Sequence, residues 1–207
     1  MKEIFSEIES CGYEHYIHKI GDHNFQPHAD APKHQNNDTQ EMGIEFFNKE
    51  EYIFNKSCLI DLSLSNDSEV YEDIKYLIKI TKEHLKPFEE ILEKVGAILL
   101  RTGYDKWLEN NKKHNPKNIP YLDKDAVDFI NSFPNIKVIG IDSLTIDFPG
   151  DHYAHNKFTK NKLVVESMVN LSKIPKENVL NFTLMTKPVV ITGATGGPII
   201  AYAFIKR

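Results

Sequence analysis

Pro27-His28-Ala29-Asp30-Ala31-Pro32-Lys33-His34 is the stretch on which the reading of this chain turns. Its two prolines exclude a helix, because each lacks a backbone N–H and holds φ at about −65°. The segment is therefore extended, and on an extended backbone residues i and i+2 point the same way, so His28 and Asp30 face one centre. Pro32 turns the chain and lets His34 come back toward the same point. An imidazole pair with a carboxylate is a common ligand set for Zn²⁺ or a similar divalent ion. The residues alone equally allow three polar side chains on a solvated loop, the frequent outcome for short His/Asp clusters.

Before this stretch, Gly12 to Ile20 alternates aromatic and β-branched residues as a half-buried strand does, which puts His15 and His18 at surface positions. Residues 35–50 are polar and predict a surface loop, and Ser57 to Ser63 predicts a short buried strand. A helix begins at Thr81 or Pro87, carries Phe88, Ile91, Leu92 and Val95 at helical spacing with Glu89 and Glu90 in its first turn, and ends at Gly96. Ala97 to Arg101 reads as a buried strand running into Arg101-Thr-Gly-Tyr104, a turn that calls for a left-handed Gly103. Residues 109–120 predict a loop, and Asp123 caps a second helix carrying Ala126, Val127, Phe129, Ile130 and Phe133. Lys137 to Asp142 predicts a strand, followed by a polar loop to about residue 160. Leu163–Met168, Val179–Met185, Val189–Thr192 and Ile199–Ile205 complete the expected strands. No internal repeat and no linker interrupts the pattern, so residues 1–207 are expected to form a single α/β domain with a substantial antiparallel part.

Composition narrows the function. With 207 residues, 41% hydrophobic and 27% charged, the chain has the profile of a soluble globular protein with a real core. A net charge of −5 argues against a nucleic-acid surface. No stretch approaches the roughly 18 apolar residues of a membrane span. The opening residues carry acids where a signal or transit peptide needs bases and an apolar run, which predicts a cytoplasmic location. Cys11 and Cys58 lie in no motif and are expected as ordinary reduced thiols. The chain holds nine histidines, five of them between His15 and His34.

A second group of candidates is Asp151-His152-Tyr-Ala-His155, followed by Glu166 in the apolar run LVVESM. A carboxylate in such a strand needs a partner if buried. A metal would supply one; an edge strand with Glu166 facing water would remove the need, and the residues alone favour the edge strand. His84 and His114 have no partners in the pattern. Val190-Ile-Thr-Gly-Ala-Thr-Gly-Gly197 resembles a dinucleotide-binding turn, but Pro198 and an apolar strand follow where that site requires a helix.

Taken together, these segments resemble the metal-dependent cyclase/kynurenine formamidase family, whose signature runs His-x-Gly-Thr-His-x-Asp-x-Pro-x-His. HADAPKH matches its core. ILLRTGY at 98–104, DKDAVDFI, VIGIDSLTID at 138–147, DHYAH with VVESMVNL, and GGPIIAYAFI follow in the family's order, so the resemblance spans roughly residues 12–205. It implies a swivelling β/β/α fold, a mixed sheet with a few flanking helices. It also implies an arylformamidase-like hydrolase of amide C–N bonds with one or two divalent ions, Zn²⁺ first and Mn²⁺ second. The substrates implied are small molecules such as N-formylkynurenine or isatin, which would place the protein in tryptophan breakdown, and the assembly implied is a homodimer or higher oligomer.

Residue by residue, the resemblance makes His28 and Asp30 metal ligands, with Asp30 bridging two ions, and His34 the catalytic base or a further ligand. Glu166 becomes the ligand on the later strand, with His155 the histidine before it and His152 the alternative. The chain departs from the signature at Asn24, which stands where the family has its first histidine, and at Gln26-Pro27 in place of Gly-Thr. His23 takes the missing role if the strand bulges by one residue. The N-terminus is also short against the family. These departures leave two other readings beside the hydrolase: a binding or assembly module that has lost catalysis, and a lyase on the same metal centre.

Overall fold

The computed structural model describes residues 27–34, 39, 41–49, 52–71, 73–110, 116–175, 180 and 182–205. The expected strand over 12–20, with His15, His18 and Cys11, and the positions His23, Asn24, Gln26 and His114 lie outside these residues. In chain order the strands are His28–Asp30 (β1), Ile53–Asp61 (β2), Glu69–Tyr71 (β3), Ile74–Tyr76 (β4), Lys79–Ile80 (β5), Ala97–Arg101 (β6), Tyr121–Leu122 (β7), Val138–Ile141 (β8), Leu163–Glu166 (β9), Phe182–Pro188 (β10) and Gly196–Phe204 (β11). The α-helices are Lys82–Leu85 (α1), Glu89–Leu92 (α2), Tyr104–Asn110 (α3), Lys124–Asn131 (α4) and Tyr153–Phe158 (α5). None of the described helices is long and apolar enough to cross a membrane.

Seven strands close into a mixed barrel in the order β1, β11, β10, β2, β6, β8, β9. The β2-β6-β8-β9 pairings are parallel; β1, β10 and β11 join antiparallel and close the ring between β9 and β1. The α/β class and the antiparallel share match expectation, and the closed ring takes the place of the layered, swivelling arrangement. Side-chain alternation then divides the core in two. Ala29, Leu59, Ala97, Leu99, Val138, Leu163, Val165 and Leu184 fill one cluster inside the ring. Cys58, Ile60, Ile98, Leu100, Ile139, Ile141 and Val164 point outward and pack with Leu85, Leu92, Val127, Ile130, Ala154 and Phe158 of the helices. The parallel half is thus covered on both faces, which is why its strands read as continuous apolar runs.

Local rules account for most boundaries. Asp123 accepts a hydrogen bond from Ala126 N at 2.9 Å and caps α4. Gly103 has φ +95°, as the turn after β6 requires. The Asp142 carboxylate clamps that turn, accepting from Thr102 N at 2.9 Å and Gly103 N at 2.8 Å, and burial pushes its pKa up to about 7 against those hydrogen bonds.

Elsewhere the structure corrects the expectation. Residues 44–49 of the polar stretch form a 3-10 helix, because Ile44 and Phe47, three apart, bury against the inner core. The loop expected from residue 109 is preceded by α3, where Tyr104 and Trp107 stack at 5.2 Å. The polar loop to residue 160 contains α5, whose inward face is only Ala154, His155 and Phe158 and so leaves little periodicity to read. Val189–Thr192 is not a strand; it leads into a turn at Gly193, φ +75°.

Candidate metal centre

Alternation along β1 sets the centre. Ala29 packs inside the barrel, so His28 and Asp30 on either side of it point outward. In β9, Val165 faces inward and Glu166 outward, and the antiparallel register sets Glu166 directly across from His28. The edge-strand reading of Glu166 is therefore corrected: β9 lies between β8 and β1, and Glu166 is only 4% exposed. Helix α5 packs over this face through Ala154 and Phe158 and brings His155 to the same point.

His155 Nε2 lies 3.1 Å from Asp30 Oδ2 and 3.4 Å from Glu166 Oε1. His28 Nε2 lies 3.5 Å from Glu166 Oε2 and 3.8 Å from Asp30 Oδ1. His34 approaches from the turn after Pro32, its Nε2 3.9 Å from Asp30 Oδ1. His28, Asp30, His155 and Glu166 are buried, whereas the His34 side chain keeps 24% of its surface open to solvent. His152 sits exposed at the N-cap of α5, one turn back from the inward face, and is in neither of the donor groups described below.

One member of the site was not singled out in the sequence. Asp147 Oδ2 is 2.6 Å from His155 Nδ1 and accepts from His155 N at 3.1 Å, while its Oδ1 accepts from Ala154 N at 2.6 Å. A carboxylate facing Nδ1 only accepts, so Nδ1 carries the proton and Nε2 is the atom left to meet Asp30, Glu166 or a cation. The sole signal in the sequence was an acid eight residues before His155, a spacing with no general meaning until the 148–152 turn folds α5 back onto it. Glu166 is held in the same manner, accepting from Ile146 N at 2.7 Å.

The electrostatics follow from burying opposite charges together. Burial alone would raise Asp30, but the hydrogen bond from His155 and the neighbouring imidazoles hold it well below the usual carboxylate range. Glu166 is likewise lowered: burial and the Asp30 charge oppose, and His155 and His28 prevail. Burial disfavours the charged form of His155, yet the Glu166 charge and the Asp147, Asp30 and Glu166 hydrogen bonds raise it well above the ordinary imidazole value. Two buried carboxylates facing each other require positive charge between them.

The donor set suits a divalent cation in that place. Asp30, His34 and His155 form one group and His28, Asp30 and Glu166 another, with the donor atoms of each within 4.8 Å of one another and Asp30 common to both. Mixed imidazole and carboxylate donors are the set used by zinc and manganese, and a carboxylate behind the ligating imidazole is the usual outer support.

The comparisons with known proteins agree with this architecture. No curated protein matches the chain. Among solved structures, isatin hydrolase A from Labrenzia aggregata bound to benzyl benzoate superposes with a TM-score of 0.65 at 18% identity, over 89% of this chain and 74% of that one. An isatin hydrolase bound to the product analogue thioisatinate gives 0.66 at 22% identity, over 87% and 71%. A protein from Bacillus stearothermophilus described as a "predicted metal-dependent hydrolase" gives 0.59 at 18% identity, over 88% and 77%. At these identities the likeness establishes the fold. The Cyclase family model, described as "Putative cyclase", matches residues 7–148, more than half of the sequence, and the chain belongs to the Cyclase family.

Proposed function

We propose that the protein is a metal-dependent hydrolase of a small aryl formamide or cyclic amide, of the N-formylkynurenine or isatin type. The observation that carries this reading is the buried convergence of His28, Asp30, His155 and Glu166, with His155 oriented by Asp147. Zinc is the ion proposed first and manganese second. Two donor groups sharing Asp30 support one or two ions. Bound there, such an ion acidifies water toward neutrality and polarises an amide carbonyl. Asp30 and Glu166 hold the negative charge that retains the ion, and Asp147 keeps the His155 lone pair turned toward it. His34, the partly open imidazole of the group, takes the proton from the attacking water and returns it to the leaving nitrogen. We further propose a cytoplasmic, oligomeric enzyme.

Metal content of the purified protein, measured beside the His28→Ala and Glu166→Ala variants, tests the centre. Stoichiometric divalent metal in the wild type, lost in both variants, is expected; a wild type without metal, behaving as its variants do, ends the hydrolase reading. Turnover of formyl-anilide and isatin-like substrates then tests the reaction. Asn24 and Gln26-Pro27, in place of the histidine and Gly-Thr of the signature, favour one second reading, a binding module on the same fold. Retained metal without turnover of any amide would favour it.

A further inference from the structure

On its inward side β11 changes from large to small residues. Ile199 and Ala201 face the inner core, and alternation puts Ala203 on the same side, opposite Leu184 of β10. Leu184 is buried, yet Ala203 is exposed. The reason is a cavity of about 440 Å³ at this mouth of the barrel. Leu99, Leu184 and Ile199 form its strand wall, and Met168, Leu171 and Ile174 come over it from the segment after β9; all six belong to the inner core. Left-handed backbone at Ser167, φ +56°, and Asn170, φ +66°, turns that segment back over the mouth. Lys173 is exposed and is the one charged residue among the described residues that line the cavity. The cavity lies across the barrel wall from the candidate metal centre: Ala29 and Val165 face inward, His28 and Glu166 outward.

We propose that this cavity is a binding site for a small aliphatic monocarboxylate, with its chain against Leu99, Leu171 and Leu184 and its carboxylate at Lys173. Small-ligand sites are concave, of roughly 300–1,000 Å³, mostly apolar with a few polar groups that fix orientation, and barrel mouths are among their usual places. Ordered water has little to hold it here, since it needs two to four polar partners and the wall is aliphatic. A hydrocarbon chain instead removes apolar surface from water on both sides of the contact. Among the described residues the lining holds one cation and no carboxylate, which selects a single negative charge on the ligand. Because Lys173 is exposed, that charge stays hydrated and only the chain is buried, so no unpaired ion enters the core.

Calorimetric titration of the full chain with sodium hexanoate and sodium octanoate tests the assignment. Each buried methylene is expected to tighten binding about fourfold, so octanoate should bind about 15-fold more tightly than hexanoate. Ala203→Trp fills the mouth and should abolish octanoate binding. Its far-UV circular dichroism should match the wild type, since Ala203 is exposed; Ala203→Met, a smaller fill, replaces it if the spectrum is lost. Lys173→Glu should weaken octanoate about three- to tenfold and leave 1-octanol within twofold, because it acts on the head-group charge alone. Carboxylates also ligate metals, so Glu166→Ala, which removes a donor of the proposed centre, is the control and should bind octanoate as the wild type does. Absence of binding at millimolar octanoate, or affinity independent of chain length, overturns the inference. So does binding unchanged by Ala203→Trp or by Lys173→Glu, or lost in Glu166→Ala. Turnover plays no part in the readout, so failure here leaves the hydrolase reading standing.

Discussion

Replacing Asp147 by Asn keeps the side chain's size and removes its charge. In the protein its two oxygens serve three donors: Ala154 N at 2.6 Å, His155 N at 3.1 Å and His155 Nδ1 at 2.6 Å. An amide has a single acceptor oxygen, so its NH2 group must face at least one of those donors. With the amide oxygen in the place of Oδ2, Ala154 N loses its acceptor; with it in the place of Oδ1, His155 N loses its acceptor and the imidazole also changes tautomer, carrying its hydrogen on Nε2, the atom aimed at Asp30 and Glu166. The second outcome strikes the proposed metal centre. Loss of the carboxylate behind a ligating histidine costs about 10- to 100-fold in metal affinity, or about 1.4–2.7 kcal/mol. Loss of hydrogen bonds to a charged group costs the metal-free protein about 1.5–3 kcal/mol. For a chain of this size that is a fall in Tm of roughly 3–12 °C. Competition with a chromophoric zinc chelator near neutral pH measures the first quantity, and thermal unfolding of the metal-free protein the second. If Asp147→Asn and Asp147→Ala, which removes the acceptor altogether, both bind zinc within twofold of the wild type while His155→Ala does not, Asp147 does not orient the ligand and the tautomer argument is wrong. If His155→Ala also binds normally, the assignment of His155 falls with it.

Other substitutions separate the remaining roles. His34→Gln should lower kcat by about 10²- to 10⁴-fold with metal content retained, the mark of a proton carrier; loss of metal instead would make His34 a ligand only. Lys162 is buried with its ammonium donating to Phe133 O and Ile136 O, each at 2.9 Å, and burial together with the Lys137 charge lowers its pKa to about 8. Between about 8 and its usual 10.5 the unfolded chain binds a proton that the folded one does not, so stability relative to Lys162→Met should rise with pH through that window. Urea unfolding at both ends of the window checks this, and a flat or falling difference refutes it. Gly103→Ala should cost more than about 1 kcal/mol, because φ is +95° and the new Cβ would sit 2.6 Å from Lys75 O. Asp123→Ala should remove about 1 kcal/mol through loss of the α4 cap, read as a shift in urea midpoint.

Much of the molecule was legible from local chemistry. The prolines around His28 and Asp30 dictate extended backbone, and period-two geometry then turns both side chains to one side, as the β1 alternation shows. The apolar runs of β6 and β8 and the Asp123 cap were readable because strand burial and capping depend on neighbours in sequence. Helix α5 was not, since so short a helix shows three inward residues and no full period. The choice between His152 and His155 was closed to the sequence for the same reason: it depends on which side of that single turn packs on β9.

The supply of donors, and the local geometry that turns pairs of them one way, follow from the order of residues along the chain. Their meeting at one point follows from the packing of the whole fold. Closure of the ring between β9 and β1 sets Glu166 opposite His28, converting an apparent edge carboxylate into a buried one. The fold-back of α5 puts His155 between Asp147 and the two strand carboxylates. These contacts join residues far apart in the chain, and no local propensity encodes them. Only packing brings buried opposite charges together, and there each makes the burial of the others tolerable.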